Sequence, residues 1–170
     1  MPDQLHAPWR MEYLRSIDKE DTGCFLCASA AAPPDQFKKH LVLWQTEHSL
    51  VCMNKFPYTS GHLMVAPRAH LGDMELLSDA QLQDIGQQTV KVLQLLKRAM
   101  SPQGFNIGIN LGRAAGAGVP GHLHQHIVPR WAGDTNFITV VADIRVVPQA
   151  VEQLYDELMQ ALAATMKSER

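Results

Sequence analysis

With 170 residues, 46% of them hydrophobic, the chain carries enough apolar side chain for one domain with a substantial core, which excludes a disordered polypeptide. A formal net charge of −2 argues against nucleic-acid binding driven by bulk charge, yet leaves room for a small nucleotide ligand that needs only a local site. Three cysteines do not make an extracellular disulfide framework, no apolar run approaches a membrane span, and the start Met1-Pro2-Asp3-Gln4 lacks a secretory leader pattern; the expectation is a cytoplasmic protein with no membrane association.

In chain order, Trp9 to Ile17 reads as a short amphipathic helix. Cys24-Phe25-Leu26-Cys27 follows a Gly-containing turn, and Ala28 to Ala32 reads as a helical turn ended by Pro33-Pro34. Leu41 to Trp44 and Ser49 to Met53 read as two strands joined by a polar turn. Phe56 to Gly61 is a loop marked by Pro57 and Gly61, and His62 to Ala66 is the next strand. A long helix follows, with Ser78 as N-cap and Gln81 three residues on, as in a capping box. Leu82, Ile85, Thr89, Val92 and Leu96 repeat at helical spacing, and the helix should stop before Pro102. Phe105 to Leu111 is expected as a strand, Gly112 to Gly121 as a glycine-rich loop, His122 to Val128 as a strand, and Phe137 to Val141 as a short one. Pro148 suits the first turn of a closing helix whose apolar positions are Val151, Leu154, Leu158 and Leu162. A run of strands, one long helix, two more strands and a terminal helix spell an α+β fold with a mainly antiparallel sheet. The parts are an N-terminal segment (1–23), a domain (24–147) and a C-terminal helix (148–170).

The chemistry concentrates in His122-Leu123-His124-Gln125-His126. On a strand, alternate side chains share a face, so three imidazoles line one side about 7 Å apart, with Leu123, Gln125 and Ile127 on the other. Imidazole suits nucleophilic, proton-transfer and metal-ligand work near neutral pH. Cys24-x-x-Cys27 alone is a weak metal signal; Cys52, in an apolar strand, reads as core, and His6, His40 and His48 have no company that suggests a site.

The segment His122 to Val128 resembles the signature of the histidine triad superfamily, nucleotidyl hydrolases and transferases acting on phosphoanhydride or phosphoramidate bonds. Asn54-Lys55-Phe56-Pro57-Tyr58-Thr59-Ser60-Gly61-His62, followed by Leu63 to Pro67, is similar to the family's second signature. The resemblance covers about residues 24 to 131 and implies the family's α+β fold with an added C-terminal helix. It implies His124 as nucleophile, His126 and His62 as partners at the phosphoryl group, and Asn54 at the ribose. Backbone N–H groups of Gly112, Arg113, Gly116 and Gly118 become candidates for phosphate binding, because a glycine-rich turn can form an anion nest, and Asn110 and Arg113 for polyphosphate contacts. In zinc-bearing branches the metal ligands occupy the places of Cys24, Cys27, His70 and His122, which implies a structural zinc ion. Gly104 to Gly112, Val128 to Phe137 and the opening Pro8-Trp9-Arg10-Met11 are similar to bacterial diadenosine tetraphosphate phosphorylases, in which inorganic phosphate is the acceptor. One departure stands out: where the hydrolase and phosphoramidase branches carry glutamine and then Ser or Thr, this chain has Gly118 and Val119. Three readings stay open: a dinucleoside polyphosphate phosphorylase, a hydrolase or phosphoramidase, and a non-catalytic nucleotide-binding scaffold. The resemblance also implies a two-fold homodimer.

Overall fold

The structure, a computed structural model, describes residues 23–134 and 150–168. The expected helix at Trp9 to Ile17, the strand at Phe137 to Val141 and the turn at Pro148 lie outside the described residues. Three helices and five strands are described: α1 (Phe25–Ala31), β1 (Val42–Gln45), β2 (Ser49–Met53), β3 (Leu63–Pro67), α2 (Asp79–Met100), β4 (Gly104–Ile109), β5 (Gln125–Arg130) and α3 (Val151–Ser168). The strands form one sheet in the order β1-β2-β3-β5-β4, every neighbouring pair antiparallel. This is the α+β, mainly antiparallel architecture expected from the element order. No described helix is long and apolar enough to cross a membrane.

Period-two alternation sorts the strand residues onto two faces. Leu43, Val51, Met53, Leu63, Val65, Leu123 and Ile127 pack under α2, through Ile85, Val92, Leu95 and Leu96, and under α3, through Leu154, Tyr155 and Leu158. The intervening Val42, Leu50, Cys52, Met64 and Ala66 pack under α1, through Leu26 and Ala30. Every residue of β2 and β3 is buried because both faces are covered there. On β4, by contrast, Asn106, Ile107 and Gly108 are exposed. The α1 side is therefore open to solvent next to β5, where Gly108 pairs with His126.

Helix α2 begins as its sequence demands. Gln81 N donates to Ser78 Oγ (3.3 Å) and Ser78 N donates to Gln81 Oε1 (2.9 Å), a capping box worth about 1 kcal/mol. Ser101 closes it in the left-handed region at φ 48°, before Pro102. Leu82 is 36% exposed, so the expected apolar stripe starts at Ile85. Gln88 sits in the core at 1% exposure, and both ends of its amide are satisfied: Trp44 Nε1 donates to Oε1, and Nε2 donates to Asp84 Oδ1.

Element boundaries shift in three instructive places. Helix α1 starts at Phe25, inside the Cys-x-x-Cys segment rather than after it. Strand β4 ends at Ile109, and the loop beyond it contains a short 3-10 turn, Arg113–Ala115. Strand β5 starts at Gln125, so His122 and His124 precede the ladder and only His126 lies on it.

Candidate functional site

The start of helix α1, the loop after β3 and the segment before β5 bring four ligands together. The ligand atoms of Cys24, Cys27, His70 and His122 lie within 4.8 Å of one another. Cys24 Sγ is 3.2 Å and Cys27 Sγ 3.4 Å from His122 Nδ1, and Cys27 Sγ is 3.2 Å from His70 Nδ1. A tetrahedral zinc ion with metal–ligand bonds of about 2.0–2.3 Å has ligand–ligand edges of about 3.3–3.8 Å, so these spacings suit it. The tautomer fits as well. His122 is fully buried, and its Nε2 lies 2.8 Å from the Pro67 carbonyl, which can only accept. The proton therefore sits on Nε2 and leaves a lone pair on Nδ1 for a metal. Burial is the main cause that lowers the His122 pKa, keeping the ring in the neutral, ligating form. Two thiols and two imidazoles so placed make up a structural zinc site.

The segment holding His70 is clamped to the one holding His122. Leu123 N donates to Leu71 O at 2.7 Å. A Cβ on Gly72 would come within 2.5 Å of the Pro120 carbonyl oxygen, so only glycine permits this approach.

The other two triad histidines join a different group. The ring of His126 lies 4.9 Å from that of His124 and 5.0 Å from that of His62, centroid to centroid. The expected even row of imidazoles thus divides at the start of β5, with His122 turned to the cysteines, and His124 (buried) grouped with the half-buried His126. On the opposite face Leu123 and Ile127 are core, and Gln125 meets Thr89 of α2.

Hydrogen-bond partners assign each ring's proton. The Tyr58 backbone N–H, 3.2 Å from His62 Nδ1, can only donate, and Asn54 Nδ2 stands 3.3 Å from the same nitrogen. His62 Nδ1 is thus the acceptor and Nε2 carries the proton, which it donates to His126 Nδ1 at 2.9 Å. His126 then holds its own proton on Nε2. For His124 the logic reverses its outcome: Nδ1 lies 2.8 Å from the His122 carbonyl oxygen and must donate to it. Its Nε2 is left with a free lone pair. One ring offers a nucleophilic nitrogen and its neighbour an N–H donor.

Burial, reinforced by the neighbouring imidazoles, pushes the pKa of His62 down to about 3 and that of His126 down to about 4. Both are neutral at pH 7, so the relay of tautomers holds there.

The loop from Asn54 to Gly61 is fixed by its own bonds. Asn54 Oδ1 accepts from Phe56 N (2.9 Å), so both ends of that side chain are engaged within the loop. Gly61 takes φ +81°, and a Cβ there would come within 2.7 Å of Met100 Sδ. Tyr58 lies with its ring 4.6 Å from that of His62 and 5.8 Å from that of His126. Sequence reasoning did not single out Tyr58; the only signal was its place in the Asn-x-x-Pro-Tyr-x-x-Gly-His segment.

Asn110, Gly112, Arg113, Gly116 and Gly118 sit on the connection between β4 and the triad, Asn110 half-buried and the others exposed. The Gly116 and Ala117 amides donate back to the Arg113 and Gly112 carbonyls (3.0 and 3.2 Å), so those two N–H groups are spent on the turn. The bonds and ring contacts that unite His62, His124 and His126 do not extend to this loop among the described residues.

Comparison with known proteins agrees with this geometry. The HIT domain profile matches residues 36–133. The chain is 36% identical over 155 residues to the AP-4-A phosphorylase of Mycobacterium tuberculosis, covering 86% of this chain and 77% of that protein. It is 34% identical over 93 residues to the asymmetrical bis(5'-nucleosyl)-tetraphosphatase of Schizosaccharomyces pombe, covering 55% of this chain and 50% of that one. Among solved structures, a zinc-bound histidine triad family protein from Mycobacterium smegmatis superposes with a TM-score of 0.67 at 27% identity, covering 86% of this chain and 97% of that one. With its triad, its second signature and its sheet in place, the chain belongs to the HIT, or histidine triad, family.

Proposed function

We propose that this protein is a nucleotidyltransferase that cleaves dinucleoside polyphosphates by way of a covalent adenylyl-histidine. One observation carries the reading: His124 Nδ1–H is pinned to the His122 carbonyl, which leaves Nε2 unprotonated on a ring 4.9 Å, centroid to centroid, from His126, whose proton is on Nε2. In the proposed reaction His124 Nε2 attacks the adenylyl phosphorus of diadenosine tetraphosphate. A P–N bond forms and the P–O bond to the remaining ATP breaks, with His126 Nε2–H donating to the departing oxygen. Inorganic phosphate then attacks the same phosphorus, the P–N bond breaks, and ADP leaves. The likeness to the AP-4-A phosphorylase supports phosphate as acceptor, as does the sequence's lack of a glutamine at Gly118. The likeness to the tetraphosphatase supports the second reading, in which water takes that place and AMP is released.

A structural zinc ion at Cys24, Cys27, His70 and His122 completes the proposal. It would fasten α1 to the segment that carries His124, and its two thiolates suit a reducing, cytoplasmic setting. The protein acts as a homodimer in this reading, since β4 is a sheet edge among the described residues and its Ile107 is 44% exposed.

The deciding experiment incubates the protein with diadenosine tetraphosphate, with and without phosphate. Phosphate-dependent ADP beside ATP is expected, and AMP regardless of phosphate would replace phosphorolysis with hydrolysis. Wild-type turnover in His124→Ala would refute the adenylyl-histidine.

A further inference from the structure

Tyr58 combines two properties: the residue is 44% exposed, yet its backbone is held by hydrogen bonds on both sides. Its own N–H is tied to His62 Nδ1, Phe56 N is tied to Asn54, His62 N reaches Thr59 O at 3.3 Å, and Thr59 Oγ1 donates to Pro129 O at 3.2 Å. Pro57 precedes it. Little conformational freedom is left to lose when something binds the ring, which is the situation of a preorganised aromatic anchor.

The position of that ring says which part of a substrate it meets. The ring contacts run from His124 to His126 (4.9 Å), from His126 to His62 (5.0 Å) and from His62 to Tyr58 (4.6 Å), with Tyr58 also 5.8 Å from His126. In an in-line displacement the departing oxygen lies opposite the attacking His124 Nε2. The donor available to it is His126 Nε2–H, so the departing chain runs out over His126. Among the described residues, Tyr58 is the exposed aromatic side chain in ring contact with His126, 5.8 Å centroid to centroid.

Resting on the proposed nucleotidyl transfer, we propose that Tyr58 is a specificity-determining residue for the departing half of the substrate. Its exposed ring stacks on the base at the far end of the polyphosphate, so that the site favours dinucleoside polyphosphates over adenosine polyphosphates that carry no second base. The ring supplies a sequence-tolerant π-face, so the preference is for the presence of a second base more than for its identity.

The test compares full-length wild type, Tyr58→Phe and Tyr58→Ala on diadenosine tetraphosphate and on adenosine 5'-tetraphosphate, which shares the adenylyl group and polyphosphate but lacks the second nucleoside. Tyr58→Ala is expected to lower kcat/KM for the dinucleotide about tenfold, through KM, and to stay within about twofold of wild type on adenosine tetraphosphate. Tyr58→Phe keeps the ring and should retain the wild-type preference. Equal losses on both substrates, or a loss confined to kcat, would overturn the inference and make Tyr58 a support for the His62–His126 pair. A wild-type protein that turns over neither substrate would overturn the proposed transfer and this inference with it. Calorimetry on His124→Ala with the two compounds gives a readout free of turnover: a binding advantage for the dinucleotide that vanishes in His124→Ala/Tyr58→Ala is expected, and its persistence would overturn the assignment.

Discussion

His62→Leu isolates the tautomer relay, because leucine fills a similar volume in a site where His62 is 1% exposed but offers no hydrogen bond. Three contacts disappear: those of Tyr58 N (3.2 Å) and Asn54 Nδ2 (3.3 Å) with Nδ1, and the one from Nε2 to His126 Nδ1 (2.9 Å), the last of these being the relay bond. The bond to His126 holds the His126 proton on Nε2. A hydrogen bond of this type is worth about 0.5–1.5 kcal/mol net, so losing it shifts the His126 tautomer ratio about twofold to tenfold. A fall in kcat of that size with KM unchanged is expected. Removing His126 itself forfeits acid–base assistance, about 10²–10⁴-fold, so His62→Leu must sit well above His126→Leu. Leaving the Tyr58 N–H without its acceptor costs about 1–3 kcal/mol of stability, which lowers Tm by about 2–10 °C in a domain of this size. The assay is steady-state turnover of diadenosine tetraphosphate, with nitrogen NMR of the imidazoles reporting the His126 tautomer. A folded His62→Leu protein with wild-type kcat would refute the relay. A loss as deep as that of His126→Leu would mean that His62 itself touches the reacting groups.

Cys24→Ser/Cys27→Ser should reduce zinc, measured by elemental analysis on protein purified without added metal, from about one ion per chain to under about a tenth, with a clear drop in Tm; a wild-type protein free of zinc refutes the four-ligand site. Acid should destabilise the fold through its buried imidazoles. His62 (about 3) and His126 (about 4) stay neutral in the folded protein, while in the unfolded chain they take up protons below about 6.5. The unfolded state binds more protons in that window, so stability is unaffected above it and falls as pH drops toward 4. At pH 5 the His62 contribution is a loss of about 2 kcal/mol relative to pH 7.5, seen in urea titrations as a pH dependence that His62→Leu reduces; an identical dependence in the variant refutes it. Ile107→Lys should shift a homodimer to monomer in sedimentation, and an unchanged dimer would place the interface away from β4.

Much of the architecture was legible because it depends on local patterns. Ser49 to Met53 and the segment after His62 were legible as strands, and the Ser78 and Gln81 pair marked the start of the long helix. The resemblance to zinc-bearing branches of the family, rather than spacing, named Cys24, Cys27, His70 and His122 as a ligand set, and the fold gathers them within 4.8 Å. Boundaries were less legible, since a ladder ends where its partner ends. Strand β5 begins at Gln125 because β3 and β4 pair with it only from that point.

Neighbouring residues alone specify the helix cap and the inventory of imidazoles and thiols, because these are local properties. What each imidazole does follows from groups that the fold brings to it. His122 is turned to the cysteines by the Pro67 carbonyl, His124 is left with a bare Nε2 by the His122 carbonyl, and His126 is given an Nε2 proton by His62, itself set by the Tyr58 amide. A ring's tautomer follows from the group facing its other nitrogen. Those groups come mostly from other strands and loops, 55 residues away for His122 and 64 for His126.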